Sequence, residues 1–226
     1  MHIIILAGGL GSRLSSVSQN LPKVMVPVAG RPFLTHILDR LPADALITLC
    51  VGYKKEYVSD FFGSAYQGRE IRYSCEESPL GTGGAVLQAI RGLNEENVCL
   101  INGDTVFDLN VNDLMDKHLA YNADVSIALK SMSGFDRYGT VSIDSGNRVT
   151  GFEEKKYTKQ GLINGGVYML KLQSLRSLVL PEVFSLEKDL FEKNVRQLDM
   201  RGIVYDSLFI DIGVPEDLAR AGGILT

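Results

Sequence analysis

A short apolar run, Ile3 to Leu6, opens directly into Ala7-Gly8-Gly9-Leu10-Gly11-Ser12-Arg13-Leu14, and Pro22-Lys23 follows soon after. A buried strand that ends in glycines lets backbone N–H groups come close to an anion, because a Cβ would obstruct the approach. Arg13 and Lys23 can then offset the charge of a triphosphate. Two familiar phosphate loops do not fit. The dinucleotide fingerprint G-x-G-x-x-G finds Gly9 and Gly11 but meets Leu14 in place of its third glycine, and the expected acidic residue further on is missing. The P-loop pattern G-x-x-x-x-G-K-[ST] has no counterpart.

The bulk properties suit an α/β enzyme. The 226 residues suffice for one well-buried core. A net charge of -4 without a Lys/Arg cluster argues against a nucleic-acid partner. The first apolar run is too short for a signal peptide, and no segment approaches a membrane span, so the expected location is the cytoplasm. Cys50, Cys75 and Cys99 have no paired spacing and read as buried reduced thiols. His2, His36 and His118 are scattered and suggest no ligand cluster.

Apolar runs at 2–6, 45–51, 70–75 and 97–101 alternate with helical patterns at 32–41, 54–62 and 83–93. Such near-continuous runs predict parallel strands covered on both faces. Thr82 is placed to cap the third helix, whose N-terminus would offer free N–H groups and a positive dipole. The second half predicts strands at 106–109, 124–130, 139–144, 147–153, 163–170 and 202–210, with helices near 111–121, 171–178, 185–195 and 215–223. Asp144 to Asn147 reads as a hairpin turn. No linker, internal repeat or hexapeptide repeat interrupts the chain, so one domain over 1–226 is expected, without a C-terminal β-helix.

Leu6 to Leu14, Pro22-Lys23 and Pro27 to Pro32 with Arg31 together resemble the signature of the sugar-1-phosphate nucleotidyltransferases. The likeness continues at Pro79-Leu80-Gly81-Thr82-Gly83-Gly84-Ala85, Asn102-Gly103-Asp104, Glu153-Glu154-Lys155, Asn164-Gly165-Gly166 and Phe209 to Gly213. It implies a Rossmann-like three-layer αβα fold with a mixed, mostly parallel central sheet and a small β-rich sugar-binding region. It implies an Mg²⁺-dependent attack by a sugar 1-phosphate on the α-phosphorus of an NTP. The chain most resembles the short heptose 1-phosphate guanylyltransferases, which supply bacterial surface polysaccharides; the sugar rests on likeness alone.

The resemblance assigns roles residue by residue. Arg13, Lys23, Asp104 and Lys155 become the catalytic set. Leu6, Ala7, Gly8, Gly9, Gly11, Ser12, Pro79, Gly81, Thr82, Asn102 and Gly103 line the nucleotide. Asp104 and Asp211 become metal ligands, while Gly139, Glu153, Lys155, Asn164, Gly165 and Glu187 hold the sugar. The base reader falls at Glu76 or Glu77. An ionised carboxylate only accepts hydrogen bonds, and guanine presents two adjacent donors, so GTP is favoured over other NTPs. Each assignment has a plainer counterpart: Asn-Gly-Asp is a common turn, Asp211 could cap the helix near Pro215, and the charges around Lys155 could be a solvated hairpin end. A uridylyltransferase for an amino-sugar 1-phosphate and a catalytically silent nucleotide-sugar sensor stay open, as does pairing with a second copy.

Overall fold

The computed structural model describes residues 1–9 and 21–225. In chain order its elements are β1 (His2–Leu6), a 3₁₀ turn (Lys23–Met25), β2 (Pro27–Val28), β3 (Arg31–Pro32), α1 (Phe33–Leu38), β4 (Leu46–Val51), α2 (Lys55–Phe62), β5 (Ala65–Tyr66), β6 (Arg69–Cys75), α3 (Gly81–Ala89), β7 (Asn97–Asn102), β8 (Thr105–Phe107) and α4 (Val111–Tyr121). The chain continues through β9 (Val125–Phe135), β10 (Thr140–Ile143), β11 (Val149–Glu153), β12 (Thr158–Lys171), α5 (Leu172–Arg176), a π-helical segment (Leu186–Glu192), β13 (Met200–Tyr205), β14 (Phe209–Asp211) and α6 (Pro215–Ile224).

The main sheet runs β11-β10-β12-β7-β1-β4-β6-β5, with β9 joined to β12 and β13 to β9. Its centre, β7-β1-β4-β6, is parallel, with Leu6 in register with both Cys50 and Asn102. β12 returns antiparallel to β7. Ile3 and Ile5 pack with α1, α2, α4 and α6 on one face, while Ile4 packs with α3 and α5 on the other. Burial on both faces is why these strands are continuous apolar runs. The result is the expected three-layer αβα architecture with a mixed sheet.

β4 and β6 lie to one side of β1, and β7 lies to the other. The chain therefore reverses direction across the sheet between β1 and β7. In open α/β sheets, ligands gather at the carboxyl ends of strands beside such a switch point.

Two expectations are corrected. The apolar run 202–210 is not one strand: β13 runs parallel to β9, and β14 pairs antiparallel with β8. Cys75 ends edge-proximal β6 and is exposed, whereas Cys50 and Cys99 are buried. The Asp144–Asn147 turn forms as expected, with Asn147 N donating to Asp144 O at 3.0 Å.

His118 on α4 is buried, its ring nitrogens at 2.9 Å from Ser126 Oγ and 3.1 Å from Asn97 Oδ1. Burial, reinforced by nearby Lys171, pushes its pKa down to about 4. The unfolded chain binds the extra proton near pH 6.5, so stability rises with pH between these values. Acidification from pH 7 to 4 is expected to remove roughly 2 kcal/mol through this group. Urea midpoints across that range should show the loss in the wild type and a smaller loss in His118→Gln.

Candidate active site

Two cavities lie at the carboxyl ends of the parallel strands, and a third opens beside them toward the antiparallel part of the fold. The first encloses about 280 Å³ between Gly8, Gly52, Tyr53, Glu76, Glu77 and Pro79. Gly8 is bare for a reason: a Cβ there would lie 2.9 Å from Glu76 Oε1 and 3.2 Å from Gly52 N. Glu76 leaves β6 with its N–H bonded to Val51 O at 2.8 Å, and its Oε2 accepts from Leu80 N at 3.0 Å. One oxygen of Glu76 is thus already engaged, while Glu77 and Pro79 are exposed on the rim.

The second cavity, about 160 Å³, lies at the switch point between Leu6, Gly9, Lys23, Thr82, Asn102, Gly103 and Asp104. Gly103 N donates to Leu6 O at 3.0 Å, fastening the Asn102-Gly103-Asp104 turn to the end of β1. Ala7 N is bonded on the opposite side, to Cys50 O at 2.8 Å. Lys23 opens the 3₁₀ turn whose next two side chains, Val24 and Met25, are buried. Anchored this way, its Nζ meets Asp104 Oδ2 at 2.5 Å. Gly11, Ser12 and Arg13 lie outside the described residues.

The third cavity, about 200 Å³, shares Asn102 and Asp104 with the second and adds Tyr138, Gly139, Glu153, Lys155, Asn164, Glu187 and Asp211 among its walls. Asp211 arrives opposite Thr105 in the β14–β8 pair, and Ile212 N donates to Asp104 O at 3.1 Å. Two aspartates more than a hundred residues apart in sequence therefore share one cavity. Asp211 does not cap α6, whose N-cap is Val214 without a side-chain bond; its Oδ1 accepts instead from Gly213 N at 2.6 Å. Burial, then the charge of Asp104, raises the Asp211 carboxyl above its ordinary range. A second carboxylate nearby and partial loss of solvent both disfavour the charged form.

The donor chemistry fits a hard divalent ion. Two carboxylates match the one or two that Mg²⁺ takes from a protein when substrate phosphates and water complete its shell. Among the described residues, no three His, Cys, Asp or Glu side chains gather to hold a metal by themselves.

On the far wall of the third cavity, Asn164 Nδ2 donates to Glu187 Oε1 at 3.1 Å, and Tyr168 hydroxyl reaches the same oxygen at 3.4 Å. Glu187 is exposed at the cavity mouth, yet partial desolvation of its carboxyl raises it, and the Tyr168 hydroxyl and then Lys155 partly offset this. Glu153 is tied to Lys156 at 2.6 Å. Gly139 accommodates the chain of β11, since a Cβ there would stand 2.5 Å from Glu153 O. Sequence reasoning did not single out Tyr138, whose ring packs edge-on against Phe209 at 5.9 Å in the same cavity as Asp211, or Tyr168, whose hydroxyl reaches Glu187. Tyr138 adjoins the noted Gly139, but nothing local reveals that it reaches β14.

Two expectations about glycines change. A Cβ on Gly165 would meet the Phe107 ring at 2.4 Å, so it is bare for packing; Gly166, at φ +72°, lines the cavity instead. The start of α3 is not an open anion site. Gly83 N already donates to Phe184 O at 3.0 Å, and Thr82 Oγ1 accepts from Leu186 N at 2.9 Å rather than capping the helix. Gly81, Gly83 and Gly84 are small because the 182–184 segment lies against them.

The chain matches the nucleotidyl transferase family over residues 2–225. It belongs to that family. The D-glycero-alpha-D-manno-heptose 1-phosphate guanylyltransferase of Aneurinibacillus thermoaerophilus is 46% identical, covering 98% of this chain and 96% of its own length. The enzyme of the same name from Campylobacter jejuni is 42% identical, covering 96% of each. Among solved structures, HddC from Yersinia pseudotuberculosis complexed with GMP-PN superposes with a TM-score of 0.89 at 32% identity, covering 100% of this chain and 99% of that one. Family membership makes this chain a nucleotidyltransferase. No helix among the described residues is long and apolar enough to cross a membrane.

Proposed function

We infer that this chain transfers the guanylyl group of GTP to D-glycero-α-D-manno-heptose 1-phosphate, releasing pyrophosphate and forming GDP-heptose, as a single cytoplasmic nucleotidyltransferase domain. One observation carries the reading: the cavity at the switch point and the cavity holding Lys155 meet at Asn102 and Asp104. Two phosphorylated substrates can therefore present their phosphates to each other. The guanine and heptose assignments draw on the two relatives that share nearly the whole chain.

In this reading Gly8 lets the nucleotide lie against the end of β1, and Glu76 or Glu77 accepts from guanine. Lys23 shifts from Asp104 to the α-phosphate, and Lys155 grips the phosphate of the sugar. A phosphate oxygen of the sugar attacks the α-phosphorus, and the bond from that phosphorus to the β-phosphate bridge breaks. The chain supplies positioning and charge relief for two heavily anionic reactants. Asp104 and Asp211 would hold a divalent cation, Mg²⁺ by its preference for oxygen donors, which supplies positive charge to the phosphates when bound. Asn164 and Glu187 orient sugar hydroxyls.

The test is pyrophosphate release from each of the four NTPs against heptose 1-phosphate, mannose 1-phosphate and an amino-sugar 1-phosphate. GTP with heptose 1-phosphate should exceed every other pair by at least about tenfold in kcat/KM. UTP with the amino sugar as best pair would replace this reading. No turnover with any pair, with tight binding of a nucleotide sugar, would make the chain a sensor.

A further inference from the structure

Glu153, Glu187 and Glu192 all line the cavity that holds Lys155. Ionised carboxylates only accept hydrogen bonds, so a molecule seated against three of them must be rich in donors and carry no negative charge there. A polyhydroxylated body with its phosphate turned toward Lys155 meets that description.

The three glutamates differ in what they already bind. Glu153 is engaged by Lys156. Glu187 receives Asn164 and Tyr168 on Oε1. The Glu192 side chain has no hydrogen-bond or ion-pair partner among the described residues, though its charge is close enough to Glu187 to raise that carboxyl.

The backbone explains how Glu192 comes to this wall. Residues five apart on an α-helix point about 140° away from each other. The segment Leu186–Glu192 is π-helical, and Leu190 N already donates to Ser185 O, five residues back, at 3.3 Å. This wider turn brings Glu187 and Glu192 toward one face, a departure from regular helix of the kind that recurs at functional sites.

We propose that Glu192 is a specificity-determining residue that accepts a hydrogen bond from a hydroxyl on the exocyclic carbons of the sugar, and so selects a seven-carbon over a six-carbon sugar 1-phosphate. The proposal rests on the transferase reading above. Glu187 serves hydroxyls of the ring, and Glu192 reaches the additional carbinol that a hexose lacks.

Glu192 is exposed and unpaired, so its replacement should leave the fold intact. The experiment compares wild type, Glu192→Ala and Glu192→Gln with GTP and either heptose 1-phosphate or mannose 1-phosphate. Glu192→Ala should raise KM for the heptose by about tenfold or more, with kcat and the KM for GTP within about twofold and the KM for mannose 1-phosphate unmoved. Glu192→Gln, which keeps an acceptor without the charge, should lie between. Equal losses for both sugars, or no loss for either, overturns the role of Glu192 and leaves the transferase reading standing. A wild type that turns over neither sugar with GTP overturns both.

Discussion

Asp104→Asn is expected to lower kcat for pyrophosphate release by about a thousandfold or more while leaving the fold in place. Asparagine has the same shape but one charge fewer. Asp104 stands at the junction of two cavities, 2.5 Å from Lys23 and beside Asp211. Without its charge, the pair that suits a divalent cation is reduced to one carboxylate, and Lys23 loses the group that holds it ready. The Asp104 side chain is 38% exposed, and the turn is fixed by Gly103 N and by Asp104 O, neither of which the substitution touches. The thermal midpoint should therefore stay within about 2 °C of wild type. Activity near the wild-type level at limiting Mg²⁺ would remove Asp104 from the site.

Gly103→Ala, one residue earlier, is expected to act through the opposite route and lower stability first. A Cβ at this position would lie 2.4 Å from Leu6 O and 3.1 Å from a Val24 methyl. The nearer atom is backbone of the central strand, which cannot step aside. Relief requires the turn to lift from β1, breaking the bond from Gly103 N to Leu6 O. Overpacking and a lost buried hydrogen bond together amount to about 2–4 kcal/mol. For a chain of this size that is a fall of roughly 5–15 °C in midpoint. Lifting the turn also displaces Asp104, so kcat should fall even well below the transition temperature. Calorimetry beside steady-state kinetics checks both; an alanine variant as stable and active as wild type would show that the turn is not pressed onto β1.

The contrast between these neighbours shows what the sequence makes legible. Ile3 to Leu6 and the glycines that follow are local signals: an apolar run long enough for a strand, then residues without a Cβ. They locate β1 and the strand end at which a nucleotide is proposed to approach. Asp104 and Asp211 each end an apolar run, so strand-end placement was readable, and their meeting follows from β14 pairing with β8. What stayed hidden depends on distant segments. Residues 202–210 look like one apolar strand, but the chain leaves β9 after Tyr205 and joins β8 from Phe209. Gly81 to Gly84 look like an open cradle, because no local pattern shows that Phe184 will lie across them. Glu192 is five residues from Glu187, a spacing that separates them on a regular helix, and the widened turn cannot be seen in sequence.

The central claim is that Asp104 and Asp211 together hold the cation that serves the two phosphorylated substrates. Diffraction from the wild-type protein with Mn²⁺ and GDP-heptose, collected at the manganese edge, tests it most directly. The account predicts an anomalous peak within roughly 2.0–2.2 Å of a carboxylate oxygen from each aspartate, with the diphosphate beside it. A peak elsewhere on the chain, or a bound nucleotide sugar whose diphosphate lies away from both carboxylates, would contradict it.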